Sequence, residues 1–206
     1  ETKKCPDKNT ISVVVRRSNE ITVDADGSPR AYHPKNIGLD DNRNGGIGKD
    51  NYGIVSPDVI QGKNDPAPGY YVSVTALFDP RKKKTDPRRY VNSEVIPYLV
   101  FNKEDRKKGA KAGDYATVTK KMPNGDLLIV HAIVADYNPY SKGEGSIKLV
   151  KELGGNPDPR RGGVKCKEGF TIYVYPGTAE KFDSDKVSHE TIQKKGKEIW
   201  DKQHNK

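Results

Sequence analysis

Val134-Ala135-Asp136-Tyr137-Asn138-Pro139-Tyr140-Ser141-Lys142-Gly143-Glu144-Gly145-Ser146 is the stretch on which the reading of this chain turns. Just upstream, Leu127–Ala135 has the composition of a strand. Pro123-Asn124-Gly125-Asp126 separates it from a second β-rich run, Tyr115–Thr119. Asn-Gly between two such runs signals a hairpin, because that pair tolerates the positive φ a tight turn requires. Downstream, Ile147, Val150 and Leu153 recur at near-helical spacing and Gly154-Gly155 follows. A short helix is therefore expected over Ser146–Leu153. An acidic residue thus ends an apolar strand, a polar loop follows, and a second carboxylate stands between two glycines before a helix.

Working outward, Ile11–Val15 and Glu20–Val23 read as a pair of strands joined by polar Arg16–Asn19. Tyr70–Phe78 alternates in the strand manner. Val95–Phe101 is another strand candidate, with Pro97 marking an edge or bulge. Phe170–Tyr175 is the last. Asp24–Asn64 has almost no apolar periodicity and reads as a long ordered loop, a feature that usually serves function. Ser184–Gln203 is expected to be a charged helix anchored by Ile192, Ile199 and Trp200 and weakened by Gly196. The 206 residues suit one core. Residues 1–180 are expected to form one catalytic domain and 181–206 a charged helical tail.

Composition agrees with a turn-rich β-protein. The hydrophobic fraction is 33%, with 20 Gly and 14 Pro. No apolar run approaches the roughly 18 residues a membrane helix needs, so no membrane partner is expected. The first residues have no apolar signal-peptide core, which fits a mature secreted form or a cytoplasmic chain. The net charge of +9 asks for an anionic partner. Nucleic acid is not expected: the basic runs Arg81–Lys84 and Lys103–Lys111 lie between strands, outside any recognised module, and read as solvated loops. Cys5 and Cys166 lack zinc-site spacing. A disulfide between them and two free thiols are both open readings.

Paired carboxylates are what glycosidic hydrolysis uses, one as proton donor and one to activate water or attack carbon. Asp136 leaves an apolar strand, and desolvation raises a carboxyl pKa. Glu144 precedes a helix, whose dipole favours the anion. That predicts Asp136 as acid and Glu144 as base. The structural alternative makes Asp136 a turn cap and Glu144 a helix-start acid. Asp40-x-Asn42-x-Asn44-Gly45 matches the first half of a calcium loop, but Asn51 stands where a bidentate Glu is required. Asx-turns are the preferred reading, and no metal or cofactor is expected. Tyr70, Tyr71, Tyr137 and Tyr140 offer faces for sugar rings or bases, although whichever of Tyr70 and Tyr71 points inward is expected to be core. His33 lies in a polar loop, and His131 is expected on the solvent face of its strand.

Asp24-Ala-Asp-Gly27, Arg30-Ala-Tyr-His-Pro34, Gly38-Leu-Asp40, Gly69–Leu77, Gly113-Asp114 and Asp136…Gly143-Glu-Gly-Ser146 occur in the order seen in fungal-type chitosanases. The chain resembles that family, glycoside hydrolase family 75, from about Asp24 to Tyr175. The resemblance implies inverting hydrolysis of β-1,4-linked glucosamine polymers, with Asp136 and Glu144 as the catalytic pair. The stretch between them is shorter here than in the fungal enzymes. It also implies a substrate-binding set of Asp24, Asp26, Tyr32, His33, Asp40, Tyr71, Ser73, Thr75 and Tyr137.

Ala132–Leu153 is similar, in addition, to the late part of double-psi β-barrel proteins such as lytic transglycosylases and expansins. The expectation is a mainly β protein: a six-stranded double-psi β-barrel with long loops, a short helix after Glu144 and a C-terminal helix. The expected protein is a secreted, monomeric, endo-acting glycosidase whose partner is a polysaccharide. Chitosan is cationic, and +9 opposes it unless Asp24, Asp26, Asp40 and Asp41 form a local acidic cleft. The rival substrate is bacterial cell-wall glycan, cut by an antibacterial effector. A non-catalytic, expansin-like carbohydrate-binding barrel is the third reading.

Overall fold

The computed structural model describes residues 11–204. Its strands are β1 (Val14–Asp24), β2 (Tyr98–Phe101), β3 (Tyr115–Lys121), β4 (Leu127–Tyr137), β5 (Glu144–Ser146) and β6 (Val164–Tyr175). They close into a six-stranded barrel in the order β1-β5-β2-β4-β3-β6. The barrel is mixed: β1–β5 and β2–β4 are parallel, and the other pairs are antiparallel. Closure removes the unpaired edges that an open sheet would expose. The interior is filled by Ile21, Leu99, Val118, Val134, Phe170 and Ile172, all fully buried. Each such side chain contributes roughly 1.5–3 kcal/mol on leaving water.

The β3–β4 hairpin pairs Tyr115 with Ile133 through to Lys121 with Leu127. Gly125 in its turn has φ 91°, where a side chain would be strained. The segment before β4's partner β2 obeys its proline: the strand starts at Tyr98, after Pro97, which has no N–H for a ladder. The helix after Glu144 is α2 (Ile147–Glu152), capped by Ser146, whose Oγ accepts from Leu149 N–H.

Several local expectations are corrected. The two expected strands, Ile11–Val15 and Glu20–Val23, give way to one, β1, which starts at Val14 and runs through Arg16–Asn19 with a register shift between Ser18 and Glu20. The polar residues there mark a bulge, not a turn. Tyr70–Phe78 is no strand. It makes isolated bridges, Tyr71 to Ile60, Ser73 to Ile54 and Phe78 to Tyr90, within a long excursion over residues 25–97. Its alternation is one of burial, with Tyr71, Ser73, Thr75 and Leu77 buried on one side and Ala76 and Phe78 exposed on the other. The basic run Lys103–Lys111 contains a helix, α1 (Lys103–Lys107), started by a capping box of Asn102 and Asp105.

The C-terminal helix α3 (His189–His204) begins later than Ser184. Ser188 Oγ accepts Thr191 N–H, the N-cap arrangement, while Ser184 is held elsewhere by Asp79. His131 is also corrected: it is buried beneath α3 rather than solvated. Its Nδ1 meets Thr117 Oγ1 at 3.0 Å, and burial pushes the imidazole down to about 4. Gln193 Nε2 donates to the His131 carbonyl at 2.6 Å. Trp200 packs edge-on to Tyr173, with ring centres 5.1 Å apart. Cys166 is half-buried on β6; Cys5 lies outside the described residues.

Gly196 is where α3 meets the barrel. A Cβ there would sit 2.4 Å from His131 Cβ. Ala is the better helix former by about 1 kcal/mol, but the overlap opposes it. Gly196→Ala is expected to destabilise the protein by about 1–3 kcal/mol in urea denaturation. Unchanged or increased stability would mean that α3 does not dock on His131.

Candidate active site

Three strands deliver carboxylates to one mouth of the barrel. Asp24 is the last residue of β1, Asp136 lies near the end of β4, and Glu144 opens β5. β2 separates β4 from β5, pairing Val100 with Asp136 and Leu99 with Gly145. β5 fits between β1 and β2 only because its neighbours lack side chains. A Cβ on Gly143 would lie 2.2 Å from the Glu20 carbonyl oxygen, and one on Gly145 2.8 Å from that of Tyr98. The Gly-Glu-Gly pattern is thus the packing requirement that presents Glu144.

Asp26 follows β1 in a turn completed by Gly27, whose φ is 76° and whose added Cβ would meet the Val91 carbonyl oxygen at 2.1 Å. Ser73 Oγ accepts Gly27 N–H at 3.0 Å and lies 3.3 Å from Asp26 Oδ1. Asp26 N–H donates to Asp24 Oδ1 at 2.8 Å. Tyr98 donates to the Asp26 carbonyl at 2.9 Å. Asp136 Oδ1 accepts Ala76 N–H at 3.1 Å and Tyr137 N–H at 2.8 Å. Carboxylate oxygens of Asp24, Asp26 and Asp136 lie within 4.8 Å of one another. That spacing would let a cation draw on all three.

Burial dominates the electrostatics. It raises Asp24 well above the usual carboxylate range, with Asp136 and Glu144 adding repulsion. Asp26 is raised in the same way, with repulsion from Asp24 and Asp136. Asp136 is pushed up to about 7 by burial, with Glu144 adding to the effect and the two backbone donors opposing it. Glu144 is raised too, again by burial, but Asn138, Ser141 and Arg16 oppose the rise. Asn138 Nδ2 donates to Glu144 Oε2 at 2.9 Å. The helix dipole does not lower Glu144 as expected, because the residue sits in β5 and Ser146 is the cap. These groups titrate as a coupled set.

The other residues singled out in the sequence fall into two groups. Asp40 joins the acidic side: burial raises it, and Asp41 N–H and Asn44 Nδ2 donate to its Oδ1, both at 2.7 Å. Asn51, at the twelfth calcium-loop position, accepts Gly48 N–H instead. Tyr32 is buried beside the acids, and burial with Asp26, Asp24 and Asp40 pushes its hydroxyl up. Ser73 and Thr75 are buried braces; Thr75 Oγ1 accepts Val91 N–H at 3.1 Å. Tyr71 is core, packed with Ala25, Ala31 and Ile54. Tyr137 lies on Phe101, with ring centres 4.9 Å apart. His33 accepts Lys35 N–H and meets Tyr70 edge-on within the excursion, without a bond to the acids.

Sequence reasoning missed Tyr52 and Arg16. Tyr52 is exposed and covers Gly46, where a Cβ would come within 2.5 Å of its ring. Its neighbour Gly53 lies against Asp26. This puts an open aromatic face at the rim of the acids. Arg16 reaches across the bulge of β1 to ion-pair with Asp105 at 3.1 Å and donates to the Val100 carbonyl at 3.2 Å. Arg16 sits in an alternating polar strand and carried no signal. Tyr52 had one, as an aromatic in a Gly- and Asn-rich loop.

The arrangement can hold a proton on Asp136 near neutrality beside Glu144, whose own rise is opposed by Asn138, Ser141 and Arg16. Comparison with protein-family models gives no match, and comparison with curated proteins gives none.

A buried acid with a raised pKa costs stability once it ionises. Unfolded, Asp136 loses its proton near its ordinary value of 3.8; folded, it holds it to about 7. Its contribution is therefore full below about pH 4 and is lost as pH rises to 7. Asp136→Asn keeps both backbone acceptor contacts and removes the charge. It is expected to stabilise the protein by about 1–3 kcal/mol at pH 8 and much less at pH 4, in thermal melts. Equal effects at the two pH values would contradict the raised pKa.

Proposed function

We propose that this protein is a glycoside hydrolase that cleaves β-1,4 linkages in an amino-sugar polymer with inversion. The observation that carries the proposal is the pair Asp136 and Glu144. They stand on strands flanking β2 in different surroundings: burial pushes Asp136 up to about 7, whereas Asn138, Ser141 and Arg16 oppose the rise of Glu144. Different surroundings are how two carboxyl groups take opposite roles. Asp136 donates its proton to the glycosidic oxygen as the bond to the anomeric carbon breaks. Glu144 takes a proton from a water whose oxygen attacks that carbon from the opposite face. Water is consumed, and a new hemiacetal and a free hydroxyl result.

The resemblance to family 75 chitosanases supports the same pair. The parallel β1–β5 and β2–β4 pairings support a double-psi type of barrel. Amino sugars fit the acids. Asp24, Asp26, Asp40, Asp136 and Glu144 gather repulsion that an entering ammonium group relieves, so the local field opposes the +9 of the whole chain. Tyr52 offers a sugar ring an apolar face. We place the enzyme outside the cell, where such polymers lie, acting as a monomer.

Wild-type protein is expected to release reducing ends from chitosan oligomers, with the new anomeric centre inverted by proton NMR. Asp136→Asn and Glu144→Gln are each expected to lower kcat by about 10²–10⁴-fold with the fold retained by circular dichroism. Full activity in either variant would sink the acid–base assignment. Glycan binding with no cleavage by wild type would favour a carbohydrate-binding barrel instead.

A further inference from the structure

Glu144 also borders a second space, whose walls do not include Asp24, Asp26 or Asp136. It is a cavity of about 920 Å³ between the bulged middle of β1, the start of α1 and the loop from Asn138 to Gly143. Its size is that of a small-molecule site, which spans about 300–1,000 Å³. Its charge differs from that of the acidic cleft. Of the carboxylates on its walls other than Glu144, Asp105 is paired with Arg16, Glu104 with Lys107 and Glu20 with Lys165. Arg17, Lys108 and Lys142 also line it, and among the described residues none of the three has a carboxylate within ion-pair distance. Asn102 and Asn138 stand among them. Asn102 is fixed by its bonds to α1 and to the Ser141 carbonyl, and Asn138 by its bond to Glu144.

The site is therefore polarised. Buried acids gather with Glu144 at the barrel mouth, and three unpaired cations line the cavity it borders. We infer that the cavity beyond Glu144 is a sugar subsite that takes a residue bearing a carboxylate, held by Arg17, Lys108 and Lys142. The inference rests on the glycosidase reading, since it makes the cavity the continuation of that cleft. It assigns the polymer a charge pattern: an amine-bearing residue on the Asp24 side and a carboxylate-bearing residue on the Glu144 side. An amino-sugar glycan whose alternate residues carry a lactyl ether has that carboxylate. The surplus of basic residues then acts close to the substrate.

The test separates binding from cleavage. Peptide-free bacterial cell-wall glycan strands, partly de-N-acetylated, are compared with the same strands after their carboxyl groups are reduced to alcohols. Binding is measured by calorimetry at low salt with the full-length Asp136→Asn protein, so cleavage is not needed. The carboxylate strands are expected to bind about tenfold more tightly, and the difference is expected to shrink as salt is raised. Arg17→Gln combined with Lys142→Gln is expected to abolish the difference. Both positions are exposed, so folding is not at risk. Equal binding of the two strands, or a preference that survives the double substitution, would overturn the inference. Product release by wild type is scored separately and decides the glycosidase reading on its own.

Discussion

Burial of several carboxyl groups at one barrel mouth is the constraint around which this molecule is built. Asp24, Asp26, Asp40, Asp136 and Glu144 are each raised, and for every one the first cause is loss of water. Repulsion among them adds to it. A protein that places so many acids together forgoes stability at neutral pH. In exchange it holds a proton on Asp136 near neutrality. The barrel topology produces the clustering directly. The β2 register sets Asp136 opposite Val100 and Gly145 opposite Leu99, which brings Glu144 level with Asp136, and β1 sets Asp24 two residues further along, opposite Ser146.

The rest of the structure offsets that cost. The barrel interior is apolar and closed. The excursion over residues 25–97 is tied down by polar side chains that bond backbone. Gln61 donates to the Pro29 and Tyr71 carbonyls at 2.6 and 2.9 Å and accepts Ala67 N–H at 3.0 Å. Asp79 is fully buried, and Arg81 holds it well below the usual carboxylate range. It accepts both Ser184 N–H and Ser184 Oγ–H, which fastens the excursion to the segment leading into α3. Asp79 shows the opposite solution to Asp136: a buried carboxylate with a cation and donors stays ionised, whereas one surrounded by other acids keeps its proton.

Local signals were read correctly where one rule acted alone. The hairpin around Asn124-Gly125 and the helix after Glu144 depend on turn chemistry and capping, whereas the strand expected over Val95–Phe101 starts only at Tyr98, because Pro97 has no N–H for the ladder. Readings failed where tertiary contacts overrode the local pattern. The polar middle of β1 resembled a turn because a bulge also breaks alternation. Tyr70–Phe78 alternated because one side of it is buried, not because it pairs along its length. Gly196 looked like a weakness in a helix and is the contact that lets α3 sit on His131. Within the site, Asp136 and Glu144 were visible because acids at a strand end and between glycines are unusual. Of Tyr70 and Tyr71, one was expected to point inward, and Tyr71 does so; Tyr137 lies on Phe101. Arg16 was invisible, since its partners are distant in sequence.

The barrel mouth is expected to set Asp136 and Glu144 to different proton affinities. Residue-resolved carbon-13 NMR titration of the aspartate and glutamate carboxyl groups measures this directly. Asp136 is expected to titrate near 7 and Glu144, whose rise Asn138, Ser141 and Arg16 oppose, is expected to lose its proton first, with each curve distorted by the other. An Asp136 that titrates near its ordinary value of 3.8, or a Glu144 that holds its proton to higher pH than Asp136, would contradict it.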